Sequence, residues 1–131
     1  MIFVVSNKNM TPSKEDCLKT IFELSDDEQG IRSIDIADAL GVSKASVSNM
    51  TGILKREGYV DKKKYGTVTL TESGKKLAEK IKRRYELIER YLHHVLGVEA
   101  AIATTDACRI EHLISSETVL QMARNLKKLL G

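Results

Sequence analysis

Ser33-Ile34-Asp35-Ile36-Ala37-Asp38-Ala39-Leu40-Gly41-Val42-Ser43-Lys44-Ala45-Ser46-Val47-Ser48-Asn49-Met50 is the stretch on which the fold turns. Ile34, Ile36, Ala37 and Leu40 supply the apolar residues of a short helix, with Ser33 as its expected cap. Gly41-Val42-Ser43 makes a tight turn, and Ser43 caps a second helix from Lys44 to about Glu57. Val47, Met50, Ile53 and Leu54 form its buried stripe, and Gly58 stops it. Two helices joined by a glycine-containing turn of three residues match a helix-turn-helix.

Downstream, Tyr59-Val60-Asp61 and Thr67-Val68-Thr69-Leu70 read as short strands around the turn Lys62-Lys63-Lys64-Tyr65-Gly66. Val68 and Leu70 point one way and Thr67, Thr69 and Thr71 the other, as in a half-buried ribbon. A ribbon directly after the second helix is a wing. Upstream, a helix opens after Pro12, with Ser13 as cap and Asp16 three residues on. It carries Leu18, Ile21, Phe22 and Leu24, and the run Ser25-Asp26-Asp27-Glu28-Gln29-Gly30 ends it. Thr71-Glu72 starts a long helix whose apolar residues continue to Val95, before Gly97. Further helices are expected from about Glu99 to Ile114 and after Ser115-Ser116. The expected fold is mostly α: a winged helix-turn-helix domain over 1–74, then an all-helical domain over 75–131.

Composition agrees with one or two small domains. The chain has 131 residues, 42% hydrophobic and 30% charged, enough for a core and for solubility. Six aromatic residues, no Trp and one proline argue against a β-sandwich or an aromatic binding platform. Cys17 and Cys108 are too few for a disulfide scaffold. Ile2-Phe3-Val4-Val5 is too short for a signal-peptide core, and no run suffices to span a membrane. A cytoplasmic location without membrane association is expected. The net charge of +3 conceals a gradient. Residues 43–84 hold twelve basic side chains against four acidic ones, whereas 1–42 hold four against eight. A basic centre on helix and wing is a candidate phosphate-facing surface.

In a helix-turn-helix the second helix enters the major groove of duplex DNA. The residues of its first turns are Lys44, Ala45, Ser46, Ser48 and Asn49. Asn49 has the bidentate chemistry for adenine, and Lys44 that for guanine or phosphate. Ser43, Ser46, Ser48 and Thr51 suit phosphate oxygens, and Lys62, Lys63 and Lys64 add attraction at the wing tip.

Cys108, Glu111 and His112 stand at i, i+3 and i+4. On a continuous helix they fall within an arc of roughly 100°, opposite Ala107, Ile110, Leu113 and Ile114. Thiolate, carboxylate and imidazole on one face chelate a divalent transition metal if a fourth ligand joins them. The competing reading is a packed cysteine beside ordinary surface polar residues.

The region from Pro12 to Ile114 resembles the diphtheria toxin repressor family, which includes manganese transport regulators. The stretches that carry the resemblance are 15–24, Ile36-Ala37-Asp38-Ala39-Leu40, Ser46-Val47-Ser48, Leu70-Thr71-Glu72-Ser73-Gly74, Leu87-Ile88-Glu89-Arg90-Tyr91-Leu92, Leu96-Gly97-Val98 and, most specific, Cys108-Arg109-Ile110-Glu111-His112. The resemblance implies a dimeric repressor that binds an inverted-repeat operator when loaded with ferrous or manganous ion. It implies Asp16, Cys108, Glu111 and His112 as ligands, the ion fixing the winged half relative to the helical half.

The chain departs from the family at its second metal site. Tyr85 replaces a histidine, Thr104 stands where iron-type members have another, Glu89 is retained, and Lys19 replaces the first-helix glutamate of manganese-type members. Glu89 and His93, four apart, form a weaker substitute pair. The thiolate of Cys108 favours Fe2+, with Mn2+ next. Ending at Gly131, the sequence is expected to lack the C-terminal barrel of iron-type members. No enzyme activity and no small organic substrate are expected, because Cys108 and His112 have no oxyanion-forming glycine loop nearby. The alternative function is a winged-helix regulator that senses a small ligand or thiol oxidation at Cys108 without metal; a protein-interaction domain ranks lower.

Overall fold

The computed structural model describes residues 10–25, 30–63 and 66–130. Ile2-Phe3-Val4-Val5, Asp26-Asp27-Glu28-Gln29, Lys64 and Tyr65 lie outside the described residues. Helix α1 is Pro12–Leu24, with Pro12 in its first turn and Thr11, not Ser13, as the cap. Thr11 Oγ1 accepts the Lys14 N–H at 3.3 Å. Proline has no N–H to satisfy and its φ is preset for a helix, so the start moves to Pro12 and places Ser13 inside.

A two-residue strand β1, Ile31–Arg32, precedes α2, Ser33–Leu40. Ser33 is the first helical residue rather than the cap; its hydroxyl donates to the Gly66 carbonyl at 3.1 Å and ties α2 to the hairpin. Gly41 closes α2 at φ +68, donating to the carbonyls of Ala37 and Asp38, a conformation that only glycine adopts cheaply. Helix α3, Lys44–Arg56, begins as expected, with Ser43 Oγ accepting the Ser46 N–H at 3.0 Å.

Strands β2, Val60–Lys62, and β3, Thr67–Leu70, form the wing. β1 pairs with the free edge of β3, giving an antiparallel sheet of order β1-β3-β2 with Ile31 opposite Val68 and Val60 opposite Leu70. This third strand was not expected, since two residues show no alternation. Helix α4 is Glu72–Arg90. Thr71 caps it: its hydroxyl accepts the Gly74 N–H at 3.1 Å and donates to the Gly58 carbonyl at 2.7 Å.

The described residues divide into two units, one ending at Glu79 and the other beginning at Lys80. In the first, α1, α2 and α3 pack on one another, α1 against β3 and α3 against β2. Leu18, Ile21, Ile36, Val47, Leu54, Val60 and Val68 are among its buried apolar residues. In the second, α4 passes into a π-helical turn, Tyr91–Val95, followed by α5, Ala100–Ile110, and α6, Ser116–Leu130. Ile88, Leu92, Ala103, Ala107 and Val119 form its core. Among the described residues no helix is long and apolar enough to cross a membrane.

Candidate nucleic-acid interface and metal centre

Helix α3 turns Val47, Thr51 and Leu54 inward and leaves Lys44, Ala45, Ser46, Ser48 and Asn49 exposed. Thr51 is fully buried and its hydroxyl lies 2.9 Å from the Val47 carbonyl, so it does not reach a phosphate. The Ser43 hydroxyl donates to Ser46 Oγ at 2.9 Å, which ties these two exposed residues to the helix start. Lys62 is half-buried, its ammonium 3.4 Å from the Ser48 carbonyl, bracing the wing on α3, while Lys63 is exposed. Beneath this face a cleft of about 380 Å³ is lined by Asp16, Cys17, Val42, Asn49 and Met50, among others. Cys17 is buried, and burial, then the neighbouring Asp16 charge, pushes its thiol up to about 11, as suits a packing residue.

Asp16 is half-buried on α1, beside the buried Glu15, in the first unit. Cys108, Glu111 and His112 belong to the second. Helix α5 stops at Ile110, four residues before the expected end. The N–H groups of Leu113 and Ile114 both donate to the Ile110 carbonyl at 2.9 Å, and the chain tightens into a turn. Glu111 itself keeps helical dihedrals and donates to the Ala107 carbonyl, so the change of course comes after it. Leu113, expected to pack, is 84% exposed, and Glu111, expected opposite the apolar face, is buried.

Glu111 Oε2 and His112 Nδ1 are 3.0 Å apart, their side chains 3% and 9% exposed. Cys108, half-buried, lies on the last turn of α5. An oxygen, a nitrogen and a sulfur donor from five consecutive residues fit a divalent transition ion in their chemistry. The turn is clamped from α4. Arg84, 5% exposed, donates through Nε to the Glu111 carbonyl at 3.1 Å and through its terminal nitrogen to the Ile114 carbonyl. The sequence showed Arg84 only as part of a basic run. Its spacing of three from Ile81 and four from Ile88 does place it on the buried side of α4.

Glu89 Oε2 receives the Tyr85 hydroxyl at 2.8 Å and lies 3.0 Å from the Thr104 hydroxyl. His93 Nδ1 is 2.8 Å from the Val98 carbonyl. Burial first, then the bond to Glu89 and the nearby Cys108, holds the Tyr85 phenol protonated well above its ordinary range.

Residues 9–68 match the iron dependent repressor N-terminal DNA binding domain, and residues 71–130 match the iron dependent repressor metal binding and dimerisation domain. The chain belongs to the iron-dependent repressor family. Among solved structures, the manganese regulator SloR is 36% identical over 90% of this chain and 55% of its own length, with a TM-score of 0.77. ScaR with bound Zn2+ is 32% identical over 87% of this chain and 53% of its own, with a TM-score of 0.75. A hypothetical protein from Sulfolobus solfataricus, 24% identical over 91% of both chains with a TM-score of 0.71, shares the fold. This repressor-family chain thus spans about half the length of SloR and ScaR. Its two domain matches meet just before α4, so α3 and the wing fall in the DNA-binding part and Cys108, Glu111 and His112 in the metal-binding part.

Proposed function

We propose that this chain is a transcriptional repressor of metal homeostasis that binds an inverted-repeat operator as a homodimer when loaded with a divalent ion. The observation that carries this is the buried Glu111–His112 pair, 3.0 Å apart, one helical turn from Cys108 in the metal-binding part. Asp16 completes the ligand set by the family resemblance. When bound, the ion supplies a point of coordination for these side chains. SloR is a manganese regulator and ScaR binds Zn2+, which supports the divalent class. The Cys108 thiolate inclines the choice to Fe2+, with Mn2+ next. Ser43, Lys44, Ala45, Ser46, Ser48 and Asn49 face the DNA, with Lys62, Lys63 and Lys64 adding attraction to phosphate.

Operator gel retardation across Fe2+, Mn2+, Zn2+ and Co2+ tests the reading, with wild type, Asp16→Ala and His112→Ala side by side. Metal-dependent retardation that chelator abolishes, and that either substitution weakens at least tenfold in metal concentration, is expected. Retardation that ignores metal and instead responds to oxidant would refute it in favour of thiol sensing at Cys108.

A further inference from the structure

Tyr85 and Glu89 lie one turn apart on α4, and Thr104 lies on α5. Both hydroxyls converge on a single carboxylate oxygen, Glu89 Oε2, at 2.8 and 3.0 Å. Thr104 Oγ1 is also 3.0 Å from the Ala100 carbonyl, so its one proton is shared between two acceptors on α4 and α5. These residues occupy the positions where the family resemblance implies a second ion. They do not fit one. A hard or borderline divalent ion requires several anionic or imidazole donors. The cluster supplies one carboxylate and two hydroxyls. His93, the nearest imidazole in sequence, has its Nδ1 against the Val98 carbonyl.

We propose that Tyr85, Glu89 and Thr104 form an ion-free clasp, joining α4 to α5 through Glu89 Oε2 in place of a second metal ion. Two hydroxyl donors on one carboxylate are charge-assisted bonds of the stronger kind. The Thr104 bond links α5 to α4 one helical turn before Cys108, and the Tyr85 bond, made within α4, holds the carboxylate that receives it, so the helix is held without metal. The consequence is a response to one ion per protomer, set by the ligand set proposed above.

The ion count rests on the metal site proposed above; the clasp itself does not, and two measurements separate them. The first is thermal unfolding of the metal-free protein. Thr104→Val and Glu89→Ala each lower the melting temperature, and the double variant falls no further than the lower single one, because both remove the same contact between α4 and α5. Additive losses, or none, overturn the clasp. The second is equilibrium dialysis against Mn2+ with elemental analysis of wild type, His112→Ala and Glu89→Gln. One ion per chain, lost in His112→Ala and retained in Glu89→Gln, supports the single-ion response. Two ions per chain, one of them lost in Glu89→Gln, overturns it. No ion in wild type refutes the metal reading and the ion count together, while the melting series still decides the clasp.

Discussion

Arg84 shows how one side chain satisfies two demands. A guanidinium taken out of water costs several kcal/mol unless its donors are used. The last carbonyls of a helix have no partner within it. Arg84 meets the carbonyls of Glu111 and Ile114, so the buried cation and the end of the turn satisfy each other. Arg84→Met keeps the stem and removes the donors, leaving those carbonyls without the bonds they make here. The expected loss is about 2–4 kcal/mol, measured by urea unfolding of the metal-free protein with an unchanged m-value. Arg84→Lys recovers part of it, since one ammonium reaches fewer acceptors than a planar fork. Equal stability of Arg84→Met and wild type would sink the clamp. Thr51 makes a related point. Read as a polar residue it suited phosphate, but it stands four after Val47 and three before Leu54, which puts it on the buried stripe whatever its chemistry.

The elements most legible in the sequence are those with a local physical cause. Ser43 and Thr71 cap helices, Gly41 permits the turn, and the alternation at Thr67–Leu70 makes the strand. The rest depends on distant partners. β1 exists because β3 offers an edge, and the stop of α5 is fixed by a residue 27 positions earlier. The spacing of Cys108, Glu111 and His112 marks them as a group, but not that Glu111 is buried, because what covers it comes from outside its own helix. Gly74 lies between these cases. A Cβ there would sit 2.0 Å from the Tyr59 carbonyl oxygen, so the first turn of α4 approaches the backbone before β2 as only glycine permits. In an isolated helix Gly→Ala gains about 1 kcal/mol. Here the overlap reverses the sign, and Gly74→Ala is expected to lose about 1–3 kcal/mol in thermal unfolding. A variant at least as stable as wild type would mean that α4 slides without cost.

Over the whole molecule, a net charge of +3 describes no part of the chain well. The basic residues concentrate between 43 and 84, on α3, the wing and α4, and α3 presents Lys44 and Asn49 to solvent. Those two side chains differ in the work expected of them, and salt distinguishes them. A lysine on phosphate releases about one counterion, so its removal weakens binding to every sequence and flattens the salt dependence. An amide on a base edge displaces no counterion and reads one base pair. In a homodimer each substitution acts twice. Lys44→Ala is therefore expected to reduce the slope of log K against log salt by about two, with little change in preference between operator and scrambled DNA. Asn49→Ala should leave that slope unchanged and cost about 1–3 kcal/mol of discrimination at one base pair in each half-site. Binding measured at four salt concentrations, on operator and scrambled duplex, checks both. If Asn49→Ala flattened the slope as Lys44→Ala does, α3 would be lying along the backbone rather than in the groove.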